Sequence, residues 1–221
     1  MIVHASSPIT LIGGAGVSRD DLAAAQAIAP GVVAADGGAD AALANDVVPD
    51  AVIGDFDSIS DDARTRIPAE RLHEIAEQDS NDFDKCLRNI IAPLIIGIGF
   101  SGARLDHQLA VCNTLVRHPA QRCLLMGSDD LVFLCPPSLK LGLPKKCPIS
   151  LFPMGAVEGV SDGLKWPIAG LNFAPDGQVG TSNRVKGAVH LSMTSPKMLV
   201  MVPRKYLVPV AAALQDAPAR W

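Results

Sequence analysis

Six short runs of apolar and β-branched residues, at 9–13, 32–36, 51–55, 72–75, 94–99 and 123–126, recur through the first 135 residues with helix-like segments between them. This alternation predicts helices layered on a mainly parallel sheet, because a parallel crossover needs a dozen or more residues and usually spends them on a helix. Ser18-Arg19-Asp20-Asp21 resembles a capping box ahead of an alanine-rich segment that Pro30-Gly31 stops. Over 79–91, Phe83, Leu87, Ile90 and Ile91 fall at helical spacing and predict one apolar face. Asp79, Asp82 and Lys85 fall three residues apart along another stripe. After Cys135 the pattern changes to a Pro- and Lys-rich stretch and then short apolar segments between Gly, Asp, Asn and Ser turns, with strands expected at 149–153, 178–181, 188–193 and 198–202. The expected architecture is an α/β N-terminal domain over 1–138, with a mainly parallel sheet and flanking helices, followed by a smaller, all-β, sandwich-like C-terminal domain over 139–221.

Composition narrows the function. Nineteen basic against twenty-three acidic side chains give a net charge of −4, and no Lys/Arg run is present to neutralise a row of phosphates. With aromatic residues at 4% few rings are left to stack on bases, so nucleic acid is excluded as the expected partner. The longest apolar stretch, 94–100, is too short to span a bilayer. The first ten residues lack a basic segment followed by an apolar core, so neither signal peptide nor anchor is expected and the cytoplasm follows as the location. Cys86, Cys112, Cys123, Cys135 and Cys147 form no CxxC pair and are odd in number, which predicts reduced, buried thiols.

Four acid-bearing segments sit where strands end or helices begin: Asp36-Gly37-Gly38, Gly54-Asp55-Phe56-Asp57-Ser58, Asp79-Ser80-Asn81-Asp82 and Arg104-Leu105-Asp106-His107. In an open α/β sheet the carboxyl ends of the strands border the ligand crevice, so the four are expected to converge there. Taken alone, Asp36-Gly37-Gly38 also reads as a turn and helix start, and Asp79 and Asp82 as ordinary acids of a first helical turn. Asp55 and Asp57 are different, because two acids one residue apart in an extended chain point to the same side. Clustered carboxylates repel one another and call for a cation, and hard oxygen donors without clustered Cys or His favour Mg²⁺, whose shell substrate phosphates complete. Gly99-Phe100-Ser101-Gly102-Ala103-Arg104 offers a strand-to-helix turn with an arginine suited to a phosphate.

The series ADGGAD, IGDFDS, DSNDFDKCL, GFSGARLDHQLA, GLKWPI and TSNR, in that order over about 32 to 200, resembles the motifs of the thiamine pyrophosphokinase family. The resemblance implies an α/β catalytic domain, a β-domain and a homodimer whose thiamine site forms between subunits. It implies transfer of the pyrophosphoryl group of ATP to the thiamine hydroxyl with Mg²⁺, giving thiamine diphosphate and AMP. By the same resemblance Asp55, Asp57, Asp82, Lys85, Arg104 and Asp106 are the catalytic residues, and Asp55, Asp57 and Asp79 hold the metal. Asp36, Gly37, Asp79, Gly102 and Arg104 bind ATP, while Trp166, Ser182 and Asn183 meet thiamine. The chain departs from the family pattern in reading Ala103 for a glycine and Asn81 for a threonine. Two rivals stand beside this reading. Asp55-Phe56-Asp57-Ser58-Ile59 also resembles the nucleophile motif of haloacid-dehalogenase-like phosphatases, and a thiamine or nucleotide binding protein without turnover would need the same residues.

Overall fold

The computed structural model describes residues 1–102 and 104–221, so the expectation of a close backbone approach at Ala103 lies outside the described residues. The chain mixes a predominance of β-strands with several helices and divides into two units, Met1–Thr114 and Leu115–Trp221.

In the first unit β2 (Ile9–Ile12), β3 (Gly31–Ala35), β4 (Ala51–Gly54), β5 (Leu72–Glu74) and β7 (Ile95–Ile98) pair in the order β7-β2-β3-β4-β5, every pairing parallel. β2, β4 and β7 are buried along their whole length, as strands covered on both faces must be. A short parallel ribbon joins β1 (Val3–His4) to β6 (Ile90–Ile91). The chain runs from β2 outward to β3, β4 and β5, then returns to place β7 on the other side of β2. The strand order therefore reverses between β2 and β7, the point where open α/β sheets take their ligands.

The helices begin where the sequence supplies caps. Ser18 caps α1 (Arg19–Gln26) by accepting the Asp21 N–H at 3.1 Å, Ser60 caps α3 (Asp61–Arg66), and Asn81 caps α4 (Asp82–Asn89) by accepting the Asp84 N–H at 2.8 Å. Gly37 precedes α2 (Gly38–Ala44) without a side-chain cap, and α5 (Leu105–Arg117) follows the turn after β7. Because Asn81 is the cap, α4 starts at Asp82, three residues later than the apolar periodicity suggests, and Ile90 and Ile91 leave it for β6. Asp79 thus lies in the preceding loop and not on the helical stripe expected for it.

In the second unit the pairings are antiparallel. β8 (Cys123–Met126), β9 (Asp130–Leu134), β10 (Ser138–Leu141), β11 (Pro148–Pro153), β13 (Gly180–Met193) and β14 (Met198–Pro203) follow the order β10-β13-β11-β14-β9-β8, and β12 (Gly159–Leu164) also pairs with β13. The two strands expected at 178–181 and 188–193 are one 14-residue strand, β13, which bonds β11 through its first residues and β10 and β12 through its last. β12 shifts register between Asp162 and Leu164, where Gly163 has φ +73° and a side chain would lie 2.0 Å from the Ala188 carbonyl oxygen. The unit is not all-β: α6 (Leu207–Gln215) closes it, with Pro209 tolerated in the first turn where backbone N–H groups have no helical partner. The two compact units divide at 114/115, and within the second β9 pairs with β14 at Leu199–Leu134 through Pro203–Asp130. Among the described residues no helix is long and apolar enough to cross a membrane.

Candidate functional site

The carboxyl ends of β3 and β4 each carry an acid at or beside a residue with positive φ. Asp36 follows β3 with φ 42°, and Phe56, between Asp55 and Asp57, has φ 64°. A bulky residue in the left-handed region is strained, and such strain persists only where the surroundings over-determine it. Here Phe56 is buried in a cluster with Val52, Ile59 and Ala63, and Arg64 hydrogen-bonds its carbonyl oxygen. The segment from Asp55 to Asp57 is therefore a turn pinned by a buried ring, not the extended strand end the spacing suggests. The carboxylates still converge: one oxygen each from Asp36, Asp55 and Asp57 lie within 4.8 Å of one another.

The three acids are held differently. Asp36 is 2% exposed; its Oδ2 accepts the Ser58 N–H at 3.1 Å, while its Oδ1 is buried with no hydrogen-bond partner among the described residues. Burial, with Asp82 and Asp57 nearby, pushes the Asp36 carboxyl up to about 6, despite the opposing Ser58 hydrogen bond. Asp57 Oδ1 accepts the Ser58 hydroxyl at 2.7 Å. Asp55 Oδ2 accepts from Lys85 Nζ at 2.7 Å and from Gln78 Nε2 at 3.0 Å, and the Lys85 bond holds its carboxyl below the ordinary range. Lys85, with a side chain 1% exposed, also donates to Asp82 Oδ1 at 3.1 Å. Burial works against its charge, but Asp55 and Asp82 outweigh it and raise the ammonium above its usual value. Burial raises Asp82 in turn.

A cavity of about 770 Å³ opens beside these groups, at the switch point of the sheet. Gly13 and Gly14 after β2 and Gly99 after β7 form part of its wall. Gly99 has φ +73°, and a side chain there would lie 2.6 Å from the Gly13 carbonyl oxygen, so only glycine lets the two loops approach. Asp36, Gly37, Asp82, Gly102, Arg104 and Asp106 all line this cavity. Arg104 is not free there: its Nη2 and Nε donate to Asp106 at 2.6 and 3.2 Å, both side chains being exposed, and Arg104 holds the Asp106 carboxyl down. Lys85 does not line the cavity and faces carboxylates instead. Asp79 is exposed in its loop and is not one of the three acids whose oxygens converge, a group that Asp36 joins.

The remaining expected residues lie in the second unit. Trp166 is 50% exposed, with Lys165 Nζ 4.3 Å above its ring. Asn183 is buried and spends its amide on backbone: Oδ1 accepts from the N–H groups of Trp166 and Arg184 at 3.2 and 2.8 Å, and Nδ2 donates to the Trp166 carbonyl at 2.7 Å. Ser182 is exposed with φ 64°, and its N–H donates to Ser150 Oγ. The sequence reading missed Gln78, whose neutral amide carries no motif, although its place beside Asp79 in an acidic loop was a signal. It also missed Asp40, which binds the Ser60 backbone at 3.0 Å and lines the cavity.

Fold and site together describe a protein of mixed strands and helices whose first unit sets a carboxylate cluster and a cavity at the carboxyl ends of parallel strands, where open sheets of this kind take ligands. A family model described as "Thiamin pyrophosphokinase, catalytic domain" matches residues 24–126, and one described as "Thiamin pyrophosphokinase, vitamin B1 binding domain" matches 140–198. The chain belongs to the thiamine pyrophosphokinase family. A protein of Arabidopsis thaliana named thiamine pyrophosphokinase 1 is 28% identical over 164 residues, covering 66% of this chain and 61% of the relative, so the match spans less than two thirds of that protein's length. Thiamin pyrophosphokinase from Candida albicans shares the fold with a TM-score of 0.72 at 19% identity, covering 91% of this chain and 92% of that one. Thiamine pyrophosphokinase from Bacillus subtilis does so with a TM-score of 0.68 at 22% identity, covering 89% and 98%.

Proposed function

We propose that this protein is a thiamine diphosphokinase, transferring the pyrophosphoryl group of ATP to the thiamine hydroxyl with release of AMP. The observation that carries the reading is the buried Asp36 Oδ1, with no hydrogen-bond partner among the described residues, beside Asp55 and Asp57 and next to a cavity of nucleotide size in a member of this family. A buried carboxylate oxygen without a donor is costly, and a cation relieves it. The all-oxygen donor set fits Mg²⁺. Mg²⁺ held by Asp36, Asp55 and Asp57 would supply charge neutralisation at the polyphosphate. Asp79, which the family resemblance assigns to both the metal and ATP, would reach them from the loop ahead of α4.

The chain's own residues supply the rest. Arg104 turns from Asp106 to the phosphate oxygens, and Gly37 and Gly102 let the polyphosphate come close to backbone N–H groups. Lys85 keeps Asp55 and Asp82 charged and fixed. Asp82 or Asp106 orients the thiamine hydroxyl and takes its proton as its oxygen bonds to the β-phosphorus and the bond from that phosphorus to the bridging oxygen breaks, the oxygen leaving with AMP. Trp166 stacks on the cationic thiamine, exchanging the Lys165 ammonium for the ligand's charge. Asn183 serves by fixing the Trp166 backbone, and Ser182 offers a hydroxyl beside it.

We read 1–138 as the catalytic, ATP- and Mg²⁺-binding part and 139–221 as a sandwich-like, thiamine-binding and dimerising part, working as a homodimer. Five free cysteines support the cytoplasm as its location. Incubation with ATP, thiamine and Mg²⁺, with products resolved by mass, tests the reading. Equal amounts of AMP and thiamine diphosphate are expected. ADP with thiamine monophosphate overturns the pyrophosphoryl assignment, release of inorganic phosphate restores the phosphatase, and ligand binding without AMP leaves a binding protein.

A further inference from the structure

We propose that Gln78 is a positioning residue, which with Lys85 holds Asp55 so that a single oxygen, Oδ1, is presented to the metal. This rests on the reading of Asp36, Asp55 and Asp57 as a cation site. The two donors converge on one atom, Asp55 Oδ2, at 3.0 Å from Gln78 and 2.7 Å from Lys85. A carboxylate oxygen has two lone pairs, and two such donors fill them. Among the described residues Asp55 Oδ1 is left with one long contact, the Asp57 N–H at 3.4 Å, and so keeps capacity for a ligand bond.

The two donors also differ in kind. Lys85 comes from inside α4 and is buried; Gln78 comes from the exposed loop ahead of it. That loop is itself fastened to α4, since Arg88 donates to Glu77 at 2.5 Å, and Ser80 hydrogen-bonds the same carboxylate. Glu77 is the residue next to Gln78, so the ion pair sets where the amide reaches. The arrangement is that of an outer partner orienting a ligand, in which the partner never touches the metal.

The test uses the full chain, freed of metal, titrated with Mn²⁺ and followed by electron paramagnetic resonance without ATP or thiamine. Gln78→Leu is expected to bind Mn²⁺ about tenfold more weakly than the unaltered protein, the low end of what losing an outer partner costs. Its melting temperature is expected to stay the same, because the side chain is exposed. In turnover the Mg²⁺ concentration at half-maximal rate should rise by the same factor, with kcat at saturating Mg²⁺ held within about twofold. Equal Mn²⁺ affinity in Gln78→Leu, or a loss matched by a fall in melting temperature, overturns the positioning role while leaving the metal site standing. Failure of the unaltered protein to bind Mn²⁺ overturns the cation site itself, and the positioning role with it.

Discussion

The first unit fixes its charged groups with buried side chains, Lys85 at 1% exposure between Asp55 and Asp82 and Asp36 at 2% beneath Ser58, on a backbone strained at Asp36 and Phe56. The second unit instead leaves its candidate aromatic, Trp166, half exposed and fixes only the peptide behind it, through Asn183. On the proposed function, charges that meet a polyphosphate gain from being fixed in advance, since every degree of freedom left to them is lost on binding. A ring that meets a flat cation needs an open face and a steady anchor, and side-chain freedom costs it little. The contrast makes the first unit intolerant of small changes and the second forgiving.

The sharpest way to break this contrast is Asp57→Asn, which should lower turnover by about 10²–10³-fold with circular dichroism and melting temperature unchanged. An active Asp57→Asn enzyme would remove the carboxylate cluster from the chemistry. Lys85→Met should be next, destabilising the fold by about 3–5 kcal/mol in urea unfolding, because it strands Asp55 and Asp82 without their buried partner. A variant as stable as the parent would mean that the ammonium is not what holds those acids. In the second unit, Asn183→Ala should cost about 1–3 kcal/mol, since it strips the backbone groups of Trp166 and Arg184 of their partner, and thiamine KM should rise with kcat nearly unchanged. Trp166→Ala should have the smallest effect, an increase in thiamine KM corresponding to about 0.5–2 kcal/mol with no change in ATP KM. A loss of kcat as large as that of Asp57→Asn would erase the distinction between the units.

The parallel strands were legible because burial on both faces writes them as unbroken apolar runs, as at Ile95–Ile98. β9, β10 and β12 were not, since Asp130, Lys140 and Asp162 interrupt short segments set among Gly and Pro. α6 hid behind Pro209, and β13 behind Ser182-Asn183 and Gly187, residues that usually mark turns. Acids at strand ends pointed to Asp36, Asp55 and Asp57, whose oxygens converge, and the family motifs supplied the roles proposed for the other residues. What neither could supply was direction: that Lys85 faces carboxylates, that Arg104 is engaged by Asp106, and that an Asn81 cap strands Asp79 ahead of the helix. Those depend on where a helix begins and which rotamer burial allows, and spacing alone does not encode them.

The length of β13 carries a mechanical consequence. One strand bonds β10, β11 and β12, so none of the three can leave without exposing part of it, and its own release would unzip all three. Amide hydrogens along these four strands should then exchange with solvent as a single cooperative block, at one opening free energy, while the short ribbon of β1 and β6 frays on its own.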